Sequence, residues 1–426
     1  MRKFATMPRL AVDHARSLTL FSEVRIGRSL SRWLAALLTL AVCSFAREAH
    51  AQSFFLTGSF ATARADHTAT LLQSGQVLIA GGGGDSGALN SAALYNPATN
   101  LWSATGSLAT PRYYHSATLL PSGQVLVAGG YSGSGFLSSS ELYDPTTNSW
   151  SPAASLATVR GHHTATLLPS GQVLVVGGFI GGTEALGSAE LYNPATNSWS
   201  TAASLANARF FHTATLLETG QVLVAGGNNG IDDISIAELY NPATNSWSAA
   251  GALAGARRLP SATPLPSGQV LVAGGYSSSG FLSIAELYDP TTNSWSPAAS
   301  LANPRDYHTA TLLPSGQVLV AGGENSNTLS SAELYNPATD SWSAAGSLNT
   351  ARYLHTATLL QSGQVLVAGG DGAGSTLNSA ELYTSVAPAV PALPVWAALL
   401  LAAAILAAGS VRQPVLGRTR SHAPGA

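Results

Sequence analysis

The chain is poor in charge: Asp, Glu, Lys and Arg make up 9% of its 426 residues. Residues 52–383 contain no Lys, and 8 Arg stand against 18 Asp plus Glu. Binding to a phosphate backbone relies on clustered Lys and Arg that displace counterions, so nucleic acid is excluded as a partner of this body. Cysteine is scarcer still, because the one copy, Cys43, lies in an apolar run near the N-terminus. A body without thiols has no disulfide framework and folds in an oxidising compartment without mispairing. Also missing are a G-x-S-x-G elbow, an H-E-x-x-H pair and a P-loop, which removes the usual sequence marks of hydrolases, metalloproteases and nucleotide-binding enzymes.

Long apolar runs are confined to the two ends. Residues 1–32 are basic (Arg2, Lys3, Arg9, Arg16, Arg25, Arg28, Arg32), Trp33 to Ala46 is apolar, and Ala49-His50-Ala51 follows. This order is that of a secretory signal, so residues 1–51 are expected to be an export leader cleaved before Gln52, and a short anchor helix would export the body equally. Residues 384–394 form a Pro-rich linker, residues 395–411 an apolar segment and residues 412–426 a basic tail with Arg412, Arg418 and Arg420. A seventeen-residue segment is at the lower limit for crossing a bilayer, and the trailing arginines favour a cytoplasmic end. The tail resembles the short C-terminal sorting tails of bacterial envelope proteins, in its ValProAlaLeuPro motif at 390–394, apolar helix and basic end. That resemblance implies a cell-surface or envelope protein, either membrane-anchored through this segment or released by a sorting protease.

Glycine is abundant, with 43 residues, and much of it is periodic. Gly-Gly doublets begin at 81, 129, 177, 226, 274, 322 and 369, a spacing of 47–49 residues. Each copy reads as four strands: an alternating run such as HTATLLPSG, the continuous apolar QVLVAGG, then SAELYNP and NSWSAAASL, with turn residues between them. A period near 50 with four strands per copy predicts an all-β, seven-bladed propeller over residues 52–383, built of four-stranded antiparallel blades. The doublets (among them Gly81-Gly82 and Gly129-Gly130), the Tyr of each third strand (Tyr143, Tyr192, Tyr240, Tyr288, Tyr335) and the later Trp (Trp150, Trp199, Trp247, Trp295, Trp342) resemble the kelch-repeat pattern over about residues 53–383.

The seventh copy ends without a Trp strand, whereas SFFLTGSFATAR at 53–64 aligns with LWSATGSLATPR at 101–112 and places Phe54 where Trp102 stands. The N-terminal segment is therefore expected to supply the outer strand of the last blade and close the ring, leaving no unpaired blade. A monomeric propeller follows.

Copies differ mainly on one face, formed by the loop after each Gly-Gly and by the links between blades. Between each linking Arg and its His stand Ala65-Asp66, Tyr113-Tyr114, Gly161-His162, Phe210-Phe211, Arg258-Leu259, Asp306-Tyr307 and Tyr353-Leu354. With Phe136, Asn228, Asp232 and Asp233 from the loops, the site candidates are Tyr113, Tyr114, Phe210, Phe211, Tyr307 and Tyr353, all converging on one end of the central channel. Rings supply stacking area and amides and carboxylates supply direction, so the expected partner is an extracellular glycan or a protein or peptide ligand, with no cofactor. The alternative is that the rings only cover blade edges. Asp232-Asp233 lacks the carboxylate spacing of a calcium loop and reads as an exposed acidic turn. The repeated Glu (Glu141, Glu190, Glu238, Glu286, Glu333, Glu381) is expected to pair within or between blades and is replaced by Ala93 in the first copy.

His67, His115, His163, His212, His308 and His355 recur three residues after the linking Arg, with Pro260 in the fifth copy. Six imidazoles in a ring are candidate metal ligands. Their near-uniform recurrence instead points to blade building, each His bonding its own blade. The stretch Arg112 to Gly130 also resembles the copper-ligand segment of galactose and glyoxal oxidases, which implies His115 as a copper ligand and Tyr114 as a neighbouring one. Those enzymes require a Tyr crosslinked to a Cys, which the body here does not have. The leading expectation is a non-enzymatic binding module, and the alternative is a metal-dependent oxidase or other enzyme on the same propeller.

Overall fold

The computed structural model describes residues 52–385, and the leader, most of the linker, the apolar segment 395–411 and the basic tail lie outside the described residues. Among the described residues no helix is long and apolar enough to cross a membrane. Seven four-stranded sheets are present, together with two short hairpins on the loops. Blade 2 shows the plan: Ser116–Leu119, Val125–Ala128, Ser140–Asp144 and Ser149–Ala153, each antiparallel to the next. The second strand is buried throughout in all seven blades, as its unbroken Val and Leu run requires when both faces of a blade meet neighbours. The outer strand is mostly exposed, and its Trp lies across the buried Tyr of the third strand at a centroid distance of 5.1 Å in blade 2.

The closing blade joins the two ends of the fold. Thr356–Leu359, Val365–Ala368 and Ala380–Thr384 are completed by Ser53–Leu56, with Phe54 opposite Tyr383. Their rings lie 5.0 Å apart, the spacing of the Tyr–Trp pairs elsewhere, so Phe54 takes the Trp position.

Three repeated contacts hold blade to blade. First, the linking Arg is buried and reaches the Gly-Gly strand; Arg112 donates to the carbonyl oxygens of Gly129 and Ser139. Its second amino group meets Glu141 at 2.7 Å, and that carboxylate also accepts the Ala109 and Thr110 N–H groups. Six such buried pairs occur, from Arg112–Glu141 to Arg352–Glu381. Each Glu therefore pairs as expected, and also fixes the chain that enters its blade. Second, the outer Trp donates to a carbonyl of the preceding blade, Trp150 to Gly106 at 2.8 Å.

The third contact corrects the expectation for histidine. Each Nε2 bonds the hydroxyl that starts the inner strand of the preceding blade rather than its own: His115 to Thr68 at 3.1 Å, His163 to Ser116 at 2.9 Å, and His67 to Thr356 at 3.0 Å across the closure. The imidazole thus staples two inner strands. The glycine before it in space permits the approach, since a Cβ on Gly129 would lie 2.6 Å from the Arg160 carbonyl oxygen and 2.8 Å from His163. At Pro260 the staple is missing, and Thr213 turns to the Ala225 carbonyl at 3.4 Å.

Candidate functional site

One end of the channel opens into a cavity of about 350 Å³ lined by two rings of side chains. The deeper ring is the histidines and Pro260. The upper ring is a collar made by the second residue of each link: Asp66, Tyr114, His162, Phe211, Leu259, Tyr307 and Leu354. All seven have positive φ, between 46° and 57°. Left-handed backbone is uncommon for bulky side chains and costs about 1–3 kcal/mol per residue, so it persists only where the surroundings enforce it. Here the preceding residue bridges the loop of its own blade, as Tyr113 does with Tyr131. The collar residues also bond one another through the backbone, His162 N–H to the Tyr114 carbonyl at 3.1 Å and Leu259 N–H to Phe211 at 2.9 Å.

The collar is uniform in backbone and uneven in chemistry. On blades 2–4 eight rings form a closed circuit: Tyr114 and His162 at 3.6 Å, His162 and Phe211 at 4.2 Å, then Phe210, Phe179, Phe136, Tyr131 and Tyr113 back to Tyr114 at 4.4 Å. Gly161 leaves room for it, because a Cβ there would lie 2.9 Å from the Phe136 ring. All eight rings are half-buried. Tyr307 continues the series towards Tyr353 at 6.2 Å.

Blades 6, 7 and 1 are acidic. Burial, and then the Asp371 carboxylate, push the Asp66 carboxyl up to about 7. Asp306 is also raised to about 7 by burial and Glu324, partly offset by Arg258, and one of its oxygens is buried without a partner. Burial raises the Tyr114 and Tyr307 phenols, with Asp66 adding to the effect on both. Burial pushes the imidazoles the other way: His115, His162, His212 and His308 fall to about 3, and His67, His163 and His355 fall well below their ordinary value. The histidine ring is therefore neutral at pH 7.

The candidates named from sequence separate into two groups. Tyr114, Phe211 and Tyr307 line the cavity, whereas Tyr113, Phe136, Phe210 and Tyr353 stand one step outward and do not line it. Asn228 does not line it either; its amide donates to Asp233 at 2.8 Å. Asp233 corrects the reading of an exposed acidic turn: its side chain is 5% exposed and pairs with Arg258 at 3.0 Å, and only Asp232 is exposed. Asp66, His162 and the acids behind the collar were absent from the sequence candidates. Their signal was positional, since each collar residue stands two places after a repeated Arg.

The model of the KLHDC2/KLHL20/DRC7 Kelch-repeats domain matches residues 40–227 and 162–370. No curated protein sequence matches the chain. Among solved structures, a fungal alcohol oxidase of the AA5 family in complex with copper is similar at 19% identity and a TM-score of 0.64, covering 79% of this chain and 76% of that one. At that identity the likeness is one of fold.

The donor set does not fit a copper site of the kind that the His115 segment implies. The described residues contain no Cys to crosslink a Tyr, and the His115 Nε2 is engaged by Thr68. Among the described residues no three His, Cys, Asp or Glu side chains are grouped to hold a metal ion.

Proposed function

The chain belongs to the kelch-repeat family, and on that premise we propose that it acts as a non-enzymatic binding module whose collar and adjoining loops take a glycan or a protein or peptide ligand. One observation carries this reading: seven blades repeat the collar backbone, yet the collar side chains are an aromatic circuit on one side and carboxyls on the other. Blade building needs the same residue everywhere, as the Arg and His positions illustrate. Asymmetry on a fixed frame is what selective binding requires, with rings for contact area and a few polar groups for orientation. Export by residues 1–51 and retention or release through residues 395–426 would place this face outside the cytoplasm, at a bacterial envelope.

Glycan and peptide arrays probed with the full chain test the proposal. Tyr114→Asn and Phe211→Asn remove the rings while keeping a side chain that tolerates left-handed backbone. Loss of array binding in both variants, with unchanged melting, is the expected result. Equal binding by both variants would remove the collar from consideration, and stoichiometric copper with alcohol turnover would replace the module with an oxidase.

A further inference from the structure

Charge on the collar face is one-sided. The links and loops of this face carry eight acids, Asp66, Asp85, Glu184 and Asp306 among them, while seven of the eight arginines of the propeller are buried blade linkers. Arg258 is the remaining cation, and Asp233 already holds it at 3.0 Å. The carboxyls nearest the channel lack such compensation. Among the described residues no hydrogen-bond donor reaches the Asp66 carboxyl, which lines the cavity, and Asp306 keeps a buried oxygen without a partner.

Carboxyls beside aromatic faces in a half-enclosed cavity attract a cation twice, through charge and through the ring quadrupoles. An anionic ligand would meet repulsion from Asp66, Asp306, Glu324 and Asp371. A sugar would find the Asp66 carboxyl and the Tyr114 and Tyr307 phenols, but the histidine Nε2 atoms below are bonded to Ser and Thr, their Nδ1 atoms are buried, and Phe211, Leu259 and Leu354 offer no polar atom to its remaining hydroxyls. Those three side chains instead suit an apolar stem.

We infer that the collar seats a lysine side chain of a peptide, with its ammonium against Asp66 and its methylene stem among Phe211, Leu259 and Leu354. This rests on the collar being the binding face, and names the chemistry it selects. Tyr114 and Tyr307 flank the ammonium, and their phenol oxygens accept from it. Burial and then the Asp371 carboxylate keep Asp66 raised to about 7, which also makes the site responsive: a bound cation favours the ionised carboxylate, so binding strengthens as pH rises through that value. The other titratable groups facing Asp66 are Asp371 and the phenols of Tyr113, Tyr114, Tyr307 and Tyr353, together with His67 below.

The test is calorimetric titration of the full chain at pH 8 with a terminally blocked glycine pentapeptide bearing one central lysine, against the same peptide with the amine acetylated, and against glucosamine. The amine peptide is expected to bind at least about tenfold more tightly than either comparison ligand. Asp66→Asn, isosteric and compatible with left-handed backbone, is expected to erase the preference for the amine without lowering the melting temperature. Equal affinity for the acetylated peptide, or an undiminished preference in Asp66→Asn, overturns the assignment of the cation. Glucosamine binding as tightly as the amine peptide overturns the assignment to a peptide. Acetylated and amine peptides that bind alike but lose affinity in Tyr114→Asn would leave the binding face standing without its cation, whereas no collar-dependent binding of any probe or array ligand would remove both.

Discussion

Six joints of the ring carry a buried Arg–Glu clasp, and the seventh, at the closure, does not. At Arg112 the guanidinium has a carboxylate, three carbonyls and a hydroxyl, and Glu141 uses its second oxygen on the incoming chain. At Arg64 the carboxylate is replaced by Ala93, and the cation lies over Phe60 at 5.7 Å to the ring centre. Burial then acts unopposed and lowers the Arg64 pKa to about 10. Two neighbouring groups are also unsatisfied at this seam, the Trp102 Nε1 and the Tyr383 hydroxyl, whose counterparts in blade 2 bond Gly106 and Asn148. The joint that closes the circle is therefore held more by aromatic packing and strand pairing, and the others by buried polar clasps.

Removing residues 52–64 should have the largest effect, because it deletes the fourth strand of the closing blade together with Phe54, Phe60 and Arg64. The seam would lose four strand pairings and its ring contacts, and leave the edge Ala380–Thr384 open. Loss of the cooperative unfolding transition, followed by circular dichroism, is the expected outcome. A deletion that melts like the full chain would show that the seam does not close the ring.

Acid should act on six of the seven joints together. His115, His212 and His308 titrate at about 3 when folded and near 6.5 when unfolded, so the unfolded chain binds more protons between those values. Their contribution is complete above about pH 6.5 and is lost as pH falls towards 3, at about 1.4 kcal/mol per pH unit for each imidazole. Asp66 and Asp306 work in the opposite sense, because their raised carboxyls stabilise below about 4 and lose that effect as pH rises through 7. Six staples outnumber two carboxyls. Stability from denaturant titration should therefore fall by several kcal/mol between pH 6.5 and 5, and a flat profile would contradict buried, neutral imidazoles.

The clasps can be exchanged between the two kinds of joint. Glu141→Ala strands a buried guanidinium and two N–H groups, and should cost about 3–5 kcal/mol in denaturant unfolding. The reciprocal pair Ala93→Glu with Phe60→Leu gives the seam the residues of the other joints, and should gain about 1–3 kcal/mol. A neutral result for Glu141→Ala would mean that the clasp sets the geometry of the link without stabilising it.

Much of this architecture was legible because repetition amplifies it. Gly-Gly spacing gave the blade count, and alignment of Phe54 with Trp102 gave the closing strand. What stayed hidden depends on contacts between copies or on unfavoured backbone. The partner of His115 lies 47 residues away in the preceding blade, and Arg258, which neutralises Asp233, lies in the next. Nothing in Tyr113-Tyr114 tells which ring faces the channel. That choice follows from the left-handed turn at Tyr114, a conformation that Tyr does not favour by itself and that the flanking bridge and collar bonds impose.

The collar should be nearly silent in stability, which separates it from both kinds of joint. Replacing Tyr114 by Asn removes ring contacts with Tyr113 and His162, a loss of about 0.5–1.5 kcal/mol for each favourable pair. Against this, Asn is enriched in left-handed backbone and relieves part of the 1–3 kcal/mol that such a conformation costs a bulky residue. The two terms oppose each other, so the net change should stay within about 1 kcal/mol. Denaturant midpoints of Tyr114→Asn and Glu141→Ala measured side by side decide the matter. If Tyr114→Asn costs as much as the broken clasp, the aromatic circuit is a structural girdle and its asymmetry is no sign of a ligand. If it is silent, eight half-buried rings are being kept at the channel mouth without a stability reason, and selective contact with a partner is the reason that their geometry allows.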